Sequence, residues 1–264
     1  MPSLYAHKAH GALVYKELPA YLRKICARNY EYYLAGLHGP DVLFFHPPGV
    51  NEKVADIGRK AHRKPFSLQY KRAHELLSGS LSEEDFAYFA GCLCHFVLDK
   101  TCHPLVDECI RETGLSHGKT EMELDRLLLT GRGYAPLKYP MYAHIPVSRE
   151  VASAAARFYK GVSEKEFFIG LASIKTINAL CSTNSTLGRK MLCEIMDRAG
   201  ETNKIASLIM SRDTSIIAKP YVKKMAKAMN ACVPETVDLI TKFYDSIGEE
   251  LVIGPELKLN YSGK

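Results

Sequence analysis

Imidazole and carboxylate side chains recur at four-residue intervals in the middle of the chain. His95, Asp99 and His103 follow this interval, and His117 and Glu121 repeat it after a break. On an α-helix, residues four positions apart lie on nearly the same face. The spacing therefore predicts two helices that each present a row of nitrogen and oxygen atoms, which are the ligands that Zn²⁺ takes in hydrolytic sites.

The rest of the chain carries the signals of an all-α protein. Serine residues that can cap a helix precede several long segments with helical periodicity: Ser82, Ser116, Ser148 and Ser163. Strand signals are nearly absent. We expect a multi-helix bundle of about ten helices. Pro104 is expected to end the helix that carries His95, since proline cannot donate a backbone hydrogen bond.

Most of the polar residues of interest precede residue 131, which divides the chain by role. We expect residues 1–147 to form a helical core that holds the site, and residues 148–264 to supply supporting helices packed into the same single domain. Residues 131–147 form the longest break in the helical pattern, and Tyr134, Tyr139 and Tyr142 alternate there with glycine and proline. Long irregular loops are often functional, so these tyrosines are candidate substrate-binding residues.

Cysteine usage indicates the compartment. The chain has eight cysteines, none in a Cys-x-x-Cys pair, and several fall within apolar runs. This is typical of a reducing compartment, where cysteine packs as a small hydrophobic residue. The sequence shows no signal-peptide pattern and no apolar run of about 18 residues. We therefore expect a cytoplasmic protein, whose net charge of +6 indicates an anionic partner only weakly.

Three upstream segments extend the metal-binding pattern: Tyr5-Ala-His7, Gly39-Pro40-Asp41 and Gly58 to His62. Together with the two helical rows they occur in one order over roughly residues 1–130. In this order the chain resembles the zinc-dependent phospholipase C family, whose fold is shared by fungal single-strand nucleases with three zincs. The resemblance implies a hydrolase that cleaves phosphodiester bonds, with a metal-bound hydroxide as nucleophile in a cluster of two or three Zn²⁺ ions.

The resemblance also implies a division of the ligands among the ions. One ion would be held by four side chains: Asp41, His62, His95 and Asp99. Asp99 would bridge to a second ion held by three side chains: His103, His117 and Glu121. His7 and the N-terminal backbone would hold a third ion together with Asp99. Asp41 would also be the catalytic base that orients the attacking water.

The chain departs from the secreted members of the family at two places. In those proteins the histidine that follows the bridging aspartate lies two residues further along the chain than His103 does here. Asp99 and His103 are separated by a helical step of four. Either the second metal is placed differently along the helix, or the helix continues where theirs unwinds. They also chelate a zinc through an N-terminal tryptophan, and this chain has no tryptophan. A two-zinc site is therefore the alternative to three.

Several other polar residues have ordinary interpretations. His46 is the strongest rival to His62 as a ligand, but with four other histidines it is expected to be a core or surface residue: His10, His38, His74 and His144. A row of lysines predicts a solvated helix edge or a site for anionic lipid or nucleic acid: Lys219, Lys223, Lys224 and Lys227. We expect Glu123 and Asp125 to lie off the ligand face and to be exposed to solvent.

The expected substrate is a phospholipid or a glycerophosphodiester in preference to a nucleotide. We expect at most transient contact with the inner membrane surface and no stable protein partner. A zinc-dependent nuclease or nucleotide phosphodiesterase is the first alternative, because bases stack on tyrosine rings. A non-catalytic zinc-stabilised helical protein is the second. Structural zinc sites are usually closed by four protein ligands, whereas the candidates here would leave positions for water.

Overall fold

The computed structural model describes residues 4–47, 51–182 and 209–264. Within these ranges it contains eleven α-helices and two 3₁₀ helices, with no strand. The α-helices are α1 (Leu4–Glu17), α2 (Ala20–Arg28), α3 (Tyr30–Gly36), α4 (Glu52–Arg63), α5 (Ser67–Gly79), α6 (Glu83–Thr113), α7 (His117–Gly131), α8 (Arg149–Ala156), α9 (Glu164–Cys181), α10 (Lys219–Ala231) and α11 (Val233–Asp245). The 3₁₀ helices are Gly39–Phe45 and Pro255–Lys258. The predicted all-α class is confirmed.

Serine side chains begin four of these helices, as the sequence predicts. The hydroxyl oxygens of Ser82, Ser116, Ser148 and Ser163 each accept the backbone N–H three residues further along the chain. Each bond satisfies a donor that the first helical turn leaves unpaired, which is worth about 1 kcal/mol. Two of the four caps therefore set the first residues of α6 and α7, the helices that carry the two rows of candidate ligands.

Helix α6 continues to Thr113, nine residues beyond Pro104, so the prediction that it ends at Pro104 was wrong. Pro104 cannot donate to the carbonyl of Lys100, but the residues that follow are held by packing. Val106 and Cys109 are buried in a cluster formed with α7 and α10, and burial of this apolar surface offsets one lost hydrogen bond. As a result, His103 stays on the helical face that presents His95 and Asp99.

Helices α3 and α6 approach each other closely at Gly36 and Gly91. A Cβ atom on Gly36 would overlap the carbonyl oxygen of Tyr88, and a Cβ atom on Gly91 would overlap that of Tyr33. Any larger residue would therefore force the two backbones apart. Because α3 leads into the 3₁₀ helix Gly39–Phe45, this contact sets the distance between that 3₁₀ helix and the centre of α6.

The principal core draws on side chains from both parts of the chain. Phe89 of α6 packs against Phe243 of α11 with ring centroids 4.5 Å apart and against Phe158 at 5.7 Å. All seven cysteines in the described ranges are buried free thiols, while Cys193 lies outside the described residues. The division into a site-bearing part (1–147) and a supporting part (148–264) remains a prediction. None of the described helices combines the length and apolar character that crossing a bilayer requires.

Candidate metal centre

The eight predicted ligands converge where α1, α4, α6, α7 and the 3₁₀ helix Gly39–Phe45 meet. They form three groups, two of which share His95, and within each group the candidate ligand atoms lie within 4.8 Å of one another. They are the His7 group (His7, His95 and Asp99), the Asp41 group (Asp41, His62 and His95) and the Glu121 group (His103, His117 and Glu121). Side chains that are up to 114 positions apart in the chain are thus brought into one cluster.

Asp99 lies in the middle of this cluster and faces four imidazole rings. Its Oδ1 is 3.2 Å from Nε2 of His7, and its Oδ2 is 3.4 Å from Nε2 of His95. The same Oδ2 lies 3.9 Å from Nε2 of His62 and 4.0 Å from Nδ1 of His103. Burial disfavours the carboxylate, but the imidazoles, led by His103 and His95, hold the pKa of Asp99 well below its usual range. The side chain is therefore ionised, and its two oxygens face different imidazole rings.

Asp41 projects from the first turn of the 3₁₀ helix towards the same cluster. Its Oδ1 lies 2.8 Å from Nε2 of His62, and its Oδ2 lies 3.7 Å from Nε2 of His95. Burial opposes ionisation of Asp41, yet His62 and His95 lower its pKa well below the usual range. Gly39 begins this turn with φ of 45°, and a Cβ there would meet the His95 ring at 3.2 Å. A glycine is therefore required at this position.

The structure brings His62, and not His46, beside Asp41. His46 is buried, but it belongs to none of the three groups found among the described residues. It follows the last residue of the 3₁₀ helix, five positions after Asp41. The two histidines, which the sequence leaves as rivals, therefore have clearly different surroundings.

Three of the candidate histidines are oriented by backbone carbonyl groups. The Nδ1 atoms of His62, His95 and His103 lie 3.0, 3.0 and 2.5 Å from the carbonyl oxygens of Gly58, Leu37 and Tyr261, respectively. A carbonyl can only accept, so in each ring Nδ1 carries the hydrogen. In a neutral ring Nε2 is then left as a lone-pair donor, and this is the arrangement that fixes a metal-binding imidazole. The spacing of side chains gives no signal for these carbonyl partners.

The fit to a metal ion can be judged from His95. Its Nε2 is buried and makes no hydrogen bond to any residue within the described ranges. Burial lowers the pKa of His95 to about 4, so the ring is neutral. Its Nε2 therefore carries a lone pair that accepts no hydrogen bond from the described residues. A buried polar atom left in this way is costly, and a cation beside Asp41 and Asp99 would satisfy it. Imidazole nitrogens and carboxylate oxygens are the donors that Zn²⁺ takes.

The third group forms the more open side of the centre. His117 is the first residue of α7, its Nε2 lies 3.1 Å from Oε1 of Glu121, and its side chain is 38% exposed. Nε2 of His103 lies 3.6 Å from the same oxygen. Burial disfavours the charged ring of His103, but Asp99 and Glu121 raise its pKa to about 10. Without a metal, His103 therefore holds the extra proton that offsets the neighbouring carboxylates.

Two acidic residues of α7 are buried, so the prediction that Glu123 and Asp125 are exposed was wrong. Asp125 is 1% exposed and accepts the backbone N–H groups of Tyr5 and Ala6. It thereby caps the start of α1 and fixes the position of the adjacent His7. Glu123 is 3% exposed and forms an ion pair with Arg126 at 3.4 Å. The N-terminal backbone that was predicted to assist His7 belongs to residues 1–3, outside the described residues.

The tyrosines of the 131–147 loop pack beside α1. The ring of Tyr139 meets Tyr5 edge-on with centroids 5.1 Å apart, and its hydroxyl accepts from the Lys8 ammonium at 3.0 Å. Tyr134 packs on Tyr139 with centroids 4.8 Å apart and is 48% exposed. Tyr142 is partly buried against the core. The predicted role of these tyrosines in substrate binding remains a prediction.

The same loop reaches the neighbourhood of the centre through His144. Its Nε2 lies 2.8 Å from Nε2 of His38, which precedes the Asp41 turn. Burial lowers the pKa of His144 to about 3 and that of His38 well below its usual range. Both rings are therefore neutral, and one donates to the other. The sequence reveals no such pairing, because 106 positions separate the two residues.

The family model described as zinc dependent phospholipase C matches residues 6–180, which is more than half of the chain. The chain belongs to the zinc-dependent phospholipase C family. The predicted resemblance is confirmed, and the family name implies dependence on zinc and a phospholipid-type substrate. All eight candidate ligands of this family member lie within the matched range. No curated protein and no solved structure matches the chain.

Proposed function

We propose that this family member hydrolyses a phosphodiester bond and releases a phosphomonoester. The convergence of three ligand groups around Asp99 carries this proposal. Eight side chains would hold two or three zinc ions: His7, Asp41, His62, His95, Asp99, His103, His117 and Glu121. When bound, the ions would supply Lewis acidity, an activated water and a template for the phosphate oxygens, which are the main needs of phosphoryl transfer.

The protein's own contribution begins with Asp41. Its carboxylate is ionised and held by His62 at 2.8 Å, so it can accept a hydrogen bond from an attacking water and orient that water. The three carboxylates of the cluster, Asp41, Asp99 and Glu121, bring three negative charges. Two zinc ions would leave one net positive charge, and three would leave three. In either case an anionic phosphodiester would be attracted to the site.

Catalysis fits the ligand set better than a purely structural role. A structural zinc ion is usually closed by four protein ligands, whereas three groups of three, two of which share His95, leave coordination positions for water or substrate. The partial exposure of His117 places one group at the surface. A structural site closed by four protein ligands does not require access to solvent.

A phospholipid substrate is supported by a surface on α10 and the turn before it. Ile216 and Ile217 are 82% and 54% exposed. Lys219, Lys223 and Lys227 follow at helical spacing, and all three are exposed. Exposed isoleucines beside a row of lysines suit the interface of an anionic bilayer, which attracts basic groups and accepts apolar side chains. We propose that this surface makes the transient membrane contact expected from the sequence, on the cytoplasmic side where buried thiols stay reduced.

One observation favours a nucleotide as the alternative substrate. The half-exposed ring of Tyr134 lies on Tyr139, with Arg132 over the nearby ring of Tyr5 at 5.7 Å. An exposed aromatic face beside a guanidinium group is a surface on which a base can stack. A nucleotide phosphodiesterase would use the same cluster of carboxylates and imidazoles.

The function is tested by metal analysis and by three substrates. The purified protein should contain two or three zinc ions per chain and hydrolyse an aryl phosphodiester and phosphatidylcholine faster than a dinucleotide, and a chelator should stop the reaction. Asp99→Asn should lose bound zinc, and its hydrolysis rate should fall by at least about 100-fold. Even changes to outer-shell residues at metal sites lower metal affinity or activity 10–100-fold. Asp238→Asn, at an exposed residue of α11, is the matched control. A protein that binds no zinc would overturn the proposal.

Membrane contact is tested with vesicles of two compositions. Binding should be stronger to vesicles of phosphatidylcholine with phosphatidylserine than to phosphatidylcholine alone. Replacing Lys219, Lys223 and Lys227 by glutamine should weaken that binding roughly 100-fold, at about 1 kcal/mol per lysine. Glutamine at three other exposed lysines, Lys16, Lys24 and Lys71, gives the control. Equal binding by both triple variants would contradict the assignment of this surface.

A further inference from the structure

Tyr261 lies against the metal centre, although it is far from every candidate ligand in the sequence. It follows the second 3₁₀ helix and stands outside the range that the family model matches, residues 6–180. Its side chain is fully buried. The ring centroid lies 4.4 Å from that of His62 and 5.4 Å from that of His95. One face of the Asp41 group is therefore covered by this tyrosine.

The backbone of Tyr261 reaches the other side of the cluster. Its carbonyl oxygen accepts from Nδ1 of His103 at 2.5 Å. This bond keeps a hydrogen on Nδ1 of His103 and turns Nε2 towards Glu121. A single residue thus contacts ring atoms in the Asp41 group through its side chain and in the Glu121 group through its carbonyl.

The segment 259–264 is held in place by a compact set of bonds around Asn260. The Asn260 side chain accepts the backbone N–H of Ser262 at 2.8 Å and that of Lys264 at 3.1 Å. The Tyr261 hydroxyl donates to Oε1 of Gln69 at 2.5 Å. These bonds hold the tyrosine ring from its far end and its backbone from the following turn.

Gly263 allows the segment to lie directly on α6. Its φ is 71°, and a Cβ there would lie 2.7 Å from the Lys100 carbonyl oxygen and 3.3 Å from the Pro104 ring. That carbonyl is the one to which Pro104 cannot donate. The proline inside α6 and the glycine of the segment therefore meet next to His103.

We propose that Tyr261 is a positioning residue that links the Asp41 group to the Glu121 group, so that the segment 259–264 belongs to the metal centre. The inference rests on the zinc binding proposed above. The ring limits the movement of His62 and His95, and the carbonyl fixes the rotation of His103. Loss of either contact would misplace imidazole nitrogens that must meet a zinc ion within a few tenths of an ångström.

Three variants distinguish the effect of the Tyr261 ring from that of its carbonyl group. Tyr261→Ala removes the ring, and Gly263→Ala pushes the segment and its carbonyl away from α6. Tyr261→Phe keeps both and loses only the bond to Gln69. Tyr70→Ala is the matched control, because Tyr70 is a buried tyrosine that packs on Phe243 and contacts no candidate ligand within the described ranges.

The readouts are zinc affinity by competition with a chelator, the visible spectrum of the Co²⁺-substituted protein and the melting temperature of the metal-free chain. We expect Tyr261→Ala and Gly263→Ala to bind zinc 10–100-fold more weakly and to alter the Co²⁺ spectrum. Tyr261→Phe should retain the affinity and spectrum of the wild type. Tyr70→Ala should lower the melting temperature and leave both metal readouts unchanged.

If the wild type binds zinc, and Tyr261→Ala and Gly263→Ala bind it with the same affinity and spectrum, the positioning role is wrong while the proposed function stands. If Tyr261→Ala does not fold, Gly263→Ala and Tyr261→Leu, which keeps apolar volume, decide the question by the same readouts. A wild-type chain that binds no zinc would instead refute the proposed function.

Discussion

The carboxylate of Asp125 accepts the backbone N–H of Ala6 at 2.7 Å, across 119 positions of the sequence. A side chain of α7 thus caps the first turn of α1. Because His7 follows Ala6 directly, the same bond ties one candidate ligand to the helix that carries Glu121.

Asp125→Ala should therefore affect both stability and metal binding. Loss of a capping carboxylate costs about 1 kcal/mol, and the cost rises towards about 3 kcal/mol where buried donors are left unsatisfied. Urea unfolding in the presence of chelator measures the stability, and a zinc titration measures the effect on the His7 group. Asp238→Ala, at an exposed position on α11, is the control. An unchanged unfolding midpoint would show that this cap does not hold α1.

His62→Gln should lower the zinc content, whereas His46→Gln should leave it unchanged. His62 lies 2.8 Å from Asp41, whereas His46 is buried outside the three groups. We expect the His62 variant to lose bound zinc and the His46 variant to keep it, because glutamine cannot replace a rigid imidazole donor. Elemental analysis after dialysis measures the difference. Zinc loss in the His46 variant alone would exchange the roles of the two residues.

Zinc binding should release protons and strengthen as the pH rises. The pKa of His103 is raised to about 10 in the metal-free protein, so the ring is protonated at neutral pH and must lose a proton before Nε2 can bind a metal. Below that pKa, apparent affinity should rise roughly tenfold per pH unit for each proton released. Asp41 and Asp99 have lowered pKa values and are already ionised, so they add nothing to this release.

Calorimetry in buffers of different ionisation enthalpy counts the protons that zinc binding releases. His103→Gln should release about one proton fewer than the wild type. Equal affinity at pH 6.5 and pH 8.5 would contradict the assignment of a proton to His103.

Gly91→Ala should destabilise the protein by about 1–3 kcal/mol, the usual cost of overpacking a tight core. The added methyl group would overlap the Tyr33 carbonyl oxygen of α3. Gly79→Ala is the matched control, because a Cβ on Gly79 at the end of α5 meets nothing within 4 Å. Denaturant unfolding of the two variants gives the comparison. A neutral Gly91→Ala would mean that α3 and α6 can separate without cost.

Much of the fold could be predicted because the relevant signals are local. Ser82, Ser116, Ser148 and Ser163 cap helices through bonds to residues only three positions away. The four-residue steps along α6 and α7 likewise place their side chains through helix geometry alone. Pro104 misled the prediction because its effect depends on tertiary packing, which holds α6 together beyond the proline.

The buried acids and the carbonyl partners could not be predicted in the same way. Asp125 can be buried only because Tyr5 and Ala6, more than a hundred positions earlier, provide donors. Side-chain spacing places the candidate ligands, but the contacts of Tyr261 depend on a segment whose sequence carries no imidazole or carboxylate. Contacts of this kind become visible only when the chain is folded.

The three carbonyl groups that orient His62, His95 and His103 come from α4, from the residue after α3 and from the segment 259–264. Their oxygens are the same whatever side chain the residue bears. Comparing residue types at these three positions among related proteins will therefore miss these contacts. Insertions, deletions and prolines that shift the main chain at these three places are the changes that would reveal them.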